Sequence, residues 1–423
     1  MNTRKMVVVI GAGFAGLRIA KRLADAPVQV MLLDRQNYHL FQPLLYQVAT
    51  AGLEPEEIAR PIRAIVGGQA NLEYRLADVR RVDLERRVVH SDGMAIEYDY
   101  LVLAAGAETD TLGNPSIAAH SLGLKGLADA VAIRNHVLRC FERAVMEGDP
   151  EKRRARLSFV IVGGGPTGVE MAGALSELVR LVLRRDYRRL RPDEVRIVLL
   201  EALDRLLPGL PLDLAEDAQR ALERKGVEVQ YAAGVERVEP DRVVLHSGES
   251  LPTSTVLWAA GARGVELVRK LGLPLGSRGR VRVEPDLSVA GHPEVFVAGD
   301  AAYLEVDGRP LPMMAPVALQ MADAAANNLK RRHEGLPTRP FRYRDPGGLA
   351  TIGRSAAVAF VFGLKFRGFV AWIVWLFVHL IQIIGFRNRL LVLVNWAWDY
   401  LFYDRAVRLI TPLPADEQRL AGP

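Results

Sequence analysis

One arrangement occurs twice in this chain and leaves few folds open to it. Residues 6–10, MVVVI, form an apolar, β-branched run that stops at GAGFAG and passes into the helical pattern LRIAKRLADA. A second apolar run, residues 28–33, ends on Asp34. Further on, LSFVIV stops at GGGPTG, a helical pattern follows, and the next apolar run, VRIVLL, ends on Glu201. Each copy reads as strand, glycine turn, helix, strand. The glycines stand in G-x-G-x-x-G register, Gly11, Gly13 and Gly16 in the first copy and Gly163, Gly165 and Gly168 in the second. The first glycine permits a tight turn, the second lets the backbone approach a pyrophosphate, and the third lets the helix pack against the strand. The helix then aims its free N–H groups and positive dipole end at the phosphates. Two such units predict an α/β chain with two Rossmann-like dinucleotide-binding domains, and two dinucleotides in one chain imply electron transfer between them.

The acids refine this. Asp34 is placed to accept from adenosine ribose hydroxyls, and Glu201 to do the same while repelling a 2′-phosphate, which favours NADH over NADPH. Glu201 comes late because RLVLRRDYRRLRPDE, residues 180–194, intervenes. That arginine run reads as a solvated helix end, with membrane or subunit contact as the alternative. Three smaller stretches agree with the pattern. YDYLVLAAGAETD, residues 98–110, and STVLWAAGARG, residues 254–264, each run from a strand into Ala-Gly, as where a chain leaves one nucleotide domain for another. EVFVAGDAA, residues 294–302, ends a strand at Gly299 and Asp300, where a carboxylate can bond the ribityl chain of a flavin.

Several chemistries are excluded. The single cysteine, Cys140, leaves no disulfide or dithiol relay, fits a reducing compartment, and is expected to be a packed thiol. No His/Cys spacing suits a metal or an iron–sulfur cluster, so no metal site is expected. The first residues, MNTRKMVVVI, lead into glycines rather than a cleavage site, so they read as a first strand and not a signal peptide.

Charge and hydropathy single out the C-terminal region. From Arg339 onward there are eleven Lys/Arg against five acids, a surplus that equals the net charge of the whole chain, +6. Four of the five tryptophans, Trp372, Trp375, Trp396 and Trp398, also lie there. GFVAWIVWLFVHLIQIIGF, residues 368–386, runs without a formal charge between Lys365 and Arg367 on one side and Arg387 and Arg389 on the other. Nucleic acid has no use for such a run; a lipid bilayer surface does. His379 and Gln382 interrupt it, and LLVLVNWAWDYLFY after Arg389 continues with amphipathic character. The expectation is a monotopic anchor lying in the membrane interface, with a single transmembrane helix at 368–386, or a buried core or dimer interface, as the rivals. His379 either faces a ligand or packs.

The order of these signals resembles the two-dinucleotide-binding flavoproteins. Three stretches are similar to the type II NADH dehydrogenases, single-subunit NADH:quinone oxidoreductases that pump no protons. They are NYHLFQPLLYQVATAGLEPEEIARPIR at 37–63, GGGPTGVE at 163–170, and RYRDPGGLATIGRSAAV…GFVAWIVWLFVHLIQIIGFRNR within 342–389. The resemblance implies non-covalent FAD on a discontinuous domain, 1–120 and 265–338, NADH on 150–264, and a C-terminal helical membrane-anchoring region at 339–423. Gly11, Ala12, Gly13, Phe14, Ala15, Gly16, Asp34, Arg35, Gln42, Val79, Ala105, Gly106, Gly299, Asp300 and Ala318 are then expected around FAD. Gly163, Gly165, Thr167, Gly168, Glu201, Ala260 and Gly261 are expected around NADH.

For the chemistry, the resemblance puts Glu170 near the nicotinamide and flavin, positioning the ring or relaying protons; the alternative is an acid placed favourably at a helix N-terminus. Gln320 would bond a quinone carbonyl, and Lys365 or Arg367 could mark the quinone mouth. One motif departs: where the family's quinone-side pattern resembles A-Q-x-A-x-Q, this chain reads APVALQ, with Pro316 in place of the first glutamine. The resemblance further implies a membrane quinone, ubiquinone or menaquinone, the cytoplasmic face of a bacterial inner membrane, and a possible homodimer. Rival readings are an NAD(P)H diaphorase or ferredoxin-type flavin reductase, and a flavin-bearing redox sensor.

Overall fold

The computed structural model describes residues 4–402 and 407–411. Arg405, Asp416, Glu417 and Arg419 of the expected C-terminal region lie outside the described residues. In chain order the elements used below are β1 (Lys5–Ile10), α1 (Phe14–Arg22), β2 (Val28–Asp34), β3 (Leu72–Leu76), β4 (Tyr100–Leu103), α2 (Leu127–Met146), β5 (Ser158–Val162), α3 (Pro166–Glu177), β6 (Arg196–Leu200), α4 (Leu212–Arg224), β7 (Val227–Gln230), β8 (Thr255–Trp258), β9 (His292–Val297), α5 (Ala315–His333), β10 (Gly347–Thr351), β11 (Ala357–Val361), β12 (Leu364–Arg367), α6 (Gly368–Gln382) and α7 (Phe386–Phe402). They form two compact units. The first holds the segment ending at Leu40, Ala59–Glu108 and Ala262–Asp345; the second holds Phe41–Ile58, Thr109–Gly261 and the segment from Pro346 on.

The first unit is built on a sheet in the order β9-β4-β1-β2-β3, all parallel, with Ser288–Val289 antiparallel on its β9 edge. Val7, Val8 and Val9 are fully buried in the middle strand. A parallel strand covered on both faces needs such an uninterrupted apolar run. Strand order reverses between β1 and β4, the kind of switch point at which α/β sheets take their ligands. α1 and α5 are clamped there: Arg18 donates from Nε and Nη2 to the two oxygens of Asp323, at 2.8 and 2.7 Å. Pro316 occupies the first turn of α5, where a missing N–H costs the helix nothing.

The second unit repeats the plan. Its parallel sheet runs Leu122–Gly123, β8, β5, β6, β7, with the reversal between β5 and β8. A three-stranded antiparallel sheet, β10-β11-β12, precedes the last two helices, a feature the residue pattern did not announce because its first two strands are rich in Gly and Ala. Lys365 and Arg367 on β12 are engaged by α4: Lys365 Nζ lies 2.9 Å from Asp213, and Arg367 bonds Asp213 and lies 3.0 Å from Asp217.

The nineteen-residue apolar run is not one helix. α6 stops at Gln382 and α7 starts at Phe386, with Gly385 between them at a φ of +96°. Arg389 stabilises the break by donating to the carbonyls of Ile383 and Ile381, at 2.8 and 2.7 Å, which α6 leaves without helical partners. Fifteen residues reach about 22 Å, short of a hydrocarbon core of roughly 30 Å. Among the described residues no helix is long and apolar enough to cross a membrane.

Both helices are amphipathic in an inverted sense. α6 buries Ala371, Trp375 and His379, one turn apart, and exposes Phe369, Val370, Ile373, Phe377 and Ile381. α7 turns polar groups inward: Asn388 donates to the carbonyls of Glu56 and Glu57, at 3.1 and 3.0 Å, and Asn395 donates to the Glu57 carboxylate. Its outer side carries Phe386, Leu390, Leu393, Val394 and Leu401, all exposed. A helix facing water shows the opposite pattern.

Candidate active site

The first cradle starts where β1 ends. Gly11 has a φ of +99°, and a Cβ there would overlap the carbonyl oxygen of Ala104 at the end of β4. A Cβ on Gly16 would overlap the carbonyl of Gly11, so α1 can sit this close to the turn only as glycine. Gly13, by contrast, faces open space, where backbone can approach a phosphate. The Ala12 N–H donates to Asp34 Oδ2 at 2.6 Å and the Gln36 N–H to Oδ1 at 2.7 Å. Burial raises the Asp34 carboxyl above its usual range, opposed by these two donors. His39 bonds the Ala12 carbonyl through Nδ1 at 2.9 Å and meets the Phe14 ring edge-on.

Other expected residues converge on the same end of the sheet. Gly299, at a φ of +71°, would bring a Cβ to 3.1 Å from Ala15 Cβ and 3.4 Å from Ala318 Cβ, so α1, the Gly299 turn and α5 meet there. Asp300 follows on that turn. Ala105 and Gly106 follow β4, with Gly106 open on its Cβ side, and the exposed Arg35 follows Asp34. Val79 pairs with Ser91 in an antiparallel sheet, two residues after Ala77, whose N–H donates to the Asp34 carbonyl at 2.8 Å; Gln42, in the second unit, donates to the Lys125 carbonyl at 3.2 Å. On α5, Gln320 donates from Nε2 to the Arg344 carbonyl at 2.8 Å and accepts from the Arg344 N–H at 3.0 Å. Among the described residues the second amide hydrogen of Gln320 has no partner.

The second cradle has the same construction. Gly163 has a φ of +110°, and a Cβ on it would lie 2.8 Å from Ala260 Cα. Gly168 packs on the Gly163 carbonyl as Gly16 does on Gly11, and Gly165 faces open space. Thr167 lies in the first turn of α3, and Ala260 and Gly261 follow β8. Glu201 accepts from the Gly164 N–H at 2.5 Å and the Leu203 N–H at 2.8 Å, matching Asp34 in the first unit.

Glu170, one turn into α3, is the most perturbed carboxyl of this unit. It is 8% exposed, and burial pushes it up to about 8 against the pull of two donors. Both donors reach Oε1: the Thr351 N–H at 3.4 Å, from the end of β10, and the indole N–H of Trp375 at 3.2 Å, from α6. Gly173, one turn after Glu170, makes the first contact possible, since a Cβ there would lie 2.7 Å from the carbonyl carbon of Ile352. Trp375 is held in turn by His379, stacked at 4.1 Å, whose Nδ1 bonds the Trp375 carbonyl at 2.8 Å. Tyr46 meets the indole edge-on and Trp396 packs beside it, donating to Gln47 at 2.8 Å. His379 therefore packs, and burial lowers it to about 4, so it is neutral at physiological pH. Cys140 is a buried thiol, 3.5 Å from His136 and 3.6 Å from Thr255.

Neither Trp375 nor Thr351 stands out as a site residue in the sequence. In the sequence Trp375 is one of four tryptophans of the apolar C-terminal region, whereas the fold buries it on the inner side of α6. The available signal was spacing: Ala371, Trp375 and His379 recur every fourth residue, and Gly173 follows Glu170 by three.

Two glycine cradles on parallel sheets, with an acid closing each turn, define a pyridine-nucleotide oxidoreductase. The family model described as pyridine nucleotide-disulphide oxidoreductase matches residues 5–322, and that described as the NDH2 C-terminal domain matches residues 346–403. The type II NADH:quinone oxidoreductase Ndh of Mycobacterium tuberculosis is 37% identical, over 99% of this chain and 92% of its own length. The type II NADH:quinone oxidoreductase of Staphylococcus saprophyticus is 28% identical over 86% and 92%. In fold, NDH2 of Plasmodium falciparum, solved in complex with NADH, superposes with a TM-score of 0.86 over 97% of this chain and all of that one, at 17% identity. The chain belongs to the type II NADH:quinone oxidoreductases.

Proposed function

We propose that the first unit holds FAD without a covalent link, that the second holds NADH, and that the acceptor is a quinone dissolved in lipid. FAD would lie on the segment ending at Leu40 with Ala59–Glu108 and Ala262–Asp345, NADH on 150–261, and the last two helices against the bilayer. The cradles support this: Gly13 and Gly165 leave room for a pyrophosphate, while Gly11, Gly16, Gly163 and Gly168 allow no side chain. Bound FAD supplies the carrier that accepts a hydride from NADH and passes two electrons to the quinone. The chain's own part is placement. Asp34 and Glu201 receive ribose hydroxyls, and the Glu201 carboxylate keeps a 2′-phosphate away. Glu170 can hold or release a proton near neutral pH, as a buried carboxyl at about 8 does. Gln320 offers its remaining amide hydrogen to a quinone carbonyl.

One observation carries the membrane reading: α6 and α7 both turn rows of large apolar side chains outward, while α7 turns Asn388 and Asn395 inward. Such a face is stable in lipid, and helices too short to span suit a monotopic seat. NADH is a cytoplasmic reductant, which makes the cytoplasmic face of a bacterial inner membrane the expected side. A homodimer through the same helices is the second reading, since a partner's apolar face would also cover theirs. Ubiquinone and menaquinone both carry the isoprenoid tail that dissolves such an acceptor in lipid.

The test is turnover by flavin-loaded protein with a water-soluble quinone and either nucleotide. NADH is expected to be much the better donor. Glu201→Ala is expected to raise the KM for NADH and to narrow the preference over NADPH by roughly tenfold or more, because charge repulsion and the ribose contact vanish together. An unchanged preference would show that Glu201 is not at the ribose.

A further inference from the structure

We propose that Trp375 is a positioning residue for the carboxyl of Glu170, so that the helix facing lipid on one side completes the chemical centre on the other. This rests on the reading of Glu170 as the group that holds or releases a proton, and it adds what fixes that group. Two donors reach Oε1, and only one of them is a side chain: the Trp375 indole N–H at 3.2 Å. The other, the Thr351 N–H at 3.4 Å, is longer. Among the described residues nothing donates to Oε2, which leaves that oxygen to carry the proton.

The groups packed around the carboxyl come from four elements. α6 contributes Trp375 and His379, and His379 stays neutral because burial holds it near 4. β10 contributes Thr351. The short helix Leu45–Ala49 contributes Tyr46, whose hydroxyl accepts from Gln47 at 2.8 Å. On α3 itself, Glu177 is paired with Lys225. Among the described residues no charged side chain acts on Glu170; burial acts against its ionised form, and the two N–H donors act for it.

The indole has little freedom to leave. Trp375 is 1% exposed and lies between the stacked His379 and Trp396, with Tyr46 at its edge. Phe377 and Ile381, on the opposite side of α6, are exposed. Whatever seats that outer side therefore also sets where the donor stands.

Trp375→Phe tests this, because it keeps an aromatic ring and removes the N–H. Full-length, flavin-loaded protein on phospholipid vesicles is assayed from pH 5 to 10 with NADH and a water-soluble quinone, beside Glu170→Gln. The limb of the kcat profile that Glu170→Gln abolishes is expected to move up by about one pH unit in Trp375→Phe, because the ionised carboxyl loses a donor. The KM for NADH is expected to stay within about twofold, since uniform binding of the nucleotide is untouched. A limb abolished by Glu170→Gln but unmoved in Trp375→Phe overturns the proposal and leaves the reading of Glu170 standing. A limb that survives Glu170→Gln overturns that reading and the proposal with it. If Trp375→Phe does not load flavin, infrared difference spectra of the wild type decide instead. The carboxylic acid band lost in Glu170→Gln is expected at the position of a hydrogen-bonded C=O, and a band at the free-acid position overturns the proposal.

Discussion

Single residues here act through what they exclude as much as through what they touch. Glu170 is neutral at pH 7 only because burial outweighs two N–H donors, and this has a cost that can be measured. Its folded pKa, about 8, lies above the ordinary carboxyl value. The stability that the neutral form permits is complete below about pH 4.5 and is lost as pH rises through about 8. Relative to the wild type, Glu170→Gln is expected to gain melting temperature progressively over that window, while turnover falls by roughly tenfold or more. A constant difference in melting temperature between pH 5 and 9 would contradict the assignment. Gly173 makes a sharper case, because its role is to be absent. Gly173→Ala is expected to push Ile352 away and open the Thr351 contact, costing about 1–3 kcal/mol of stability and lowering kcat. Calorimetry beside steady-state kinetics checks both.

At the scale of elements, the deciding fact is the break at Gly385. The apolar run is long enough in sequence to span a bilayer, and only its division into α6 and α7, capped by Arg389, makes two short helices of it. Hydropathy alone does not reveal such a division. The faces follow from the same residues read with a helical period: Asn388 and Asn395 lie seven apart and point inward, while Phe386, Leu390, Leu393 and Leu401 point outward. Phe377→Asp places a charge on the outer face without disturbing the packing of Trp375, since Phe377 is 64% exposed. Sedimentation with anionic vesicles is expected to show partitioning reduced by roughly tenfold or more, with flavin content unchanged. Undiminished partitioning would remove α6 from the membrane face. Lys365 and Arg367, which suggest lipid contact when read as neighbours of an apolar run, are drawn to Asp213 and Asp217 on α4. A pairing across 152 positions, as between Lys365 and Asp213, leaves no local trace.

For the whole molecule, what could be read in advance followed from local rules. Each strand–glycine–helix unit is written in a few dozen consecutive residues, so the two cradles, Asp34 and Glu201 were legible. Gly299 and Ala318 were expected near the flavin, and their meeting with Ala15 brings together segments some 300 positions apart. The environment of Glu170 was not legible. It draws on α3, β10 and α6, whose contacts depend on how the chain returns to the second unit after Pro346, and no periodicity encodes that return. The β10–β12 sheet was missed for a related reason: Gly and Ala in β10 and β11 mask the alternation by which a half-buried strand is recognised.

The claim joining these scales is that one chain passes electrons from a nucleotide in water to an acceptor in lipid. An anaerobic titration on quinone-containing vesicles tests it most directly, with the absorbance of the bound flavin followed throughout. NADH is expected to bleach the flavin band, and lipid-dissolved quinone is expected to restore it within the turnover time, one quinone reduced for each NADH consumed. A flavin that NADH bleaches but lipid quinone does not restore would contradict the account.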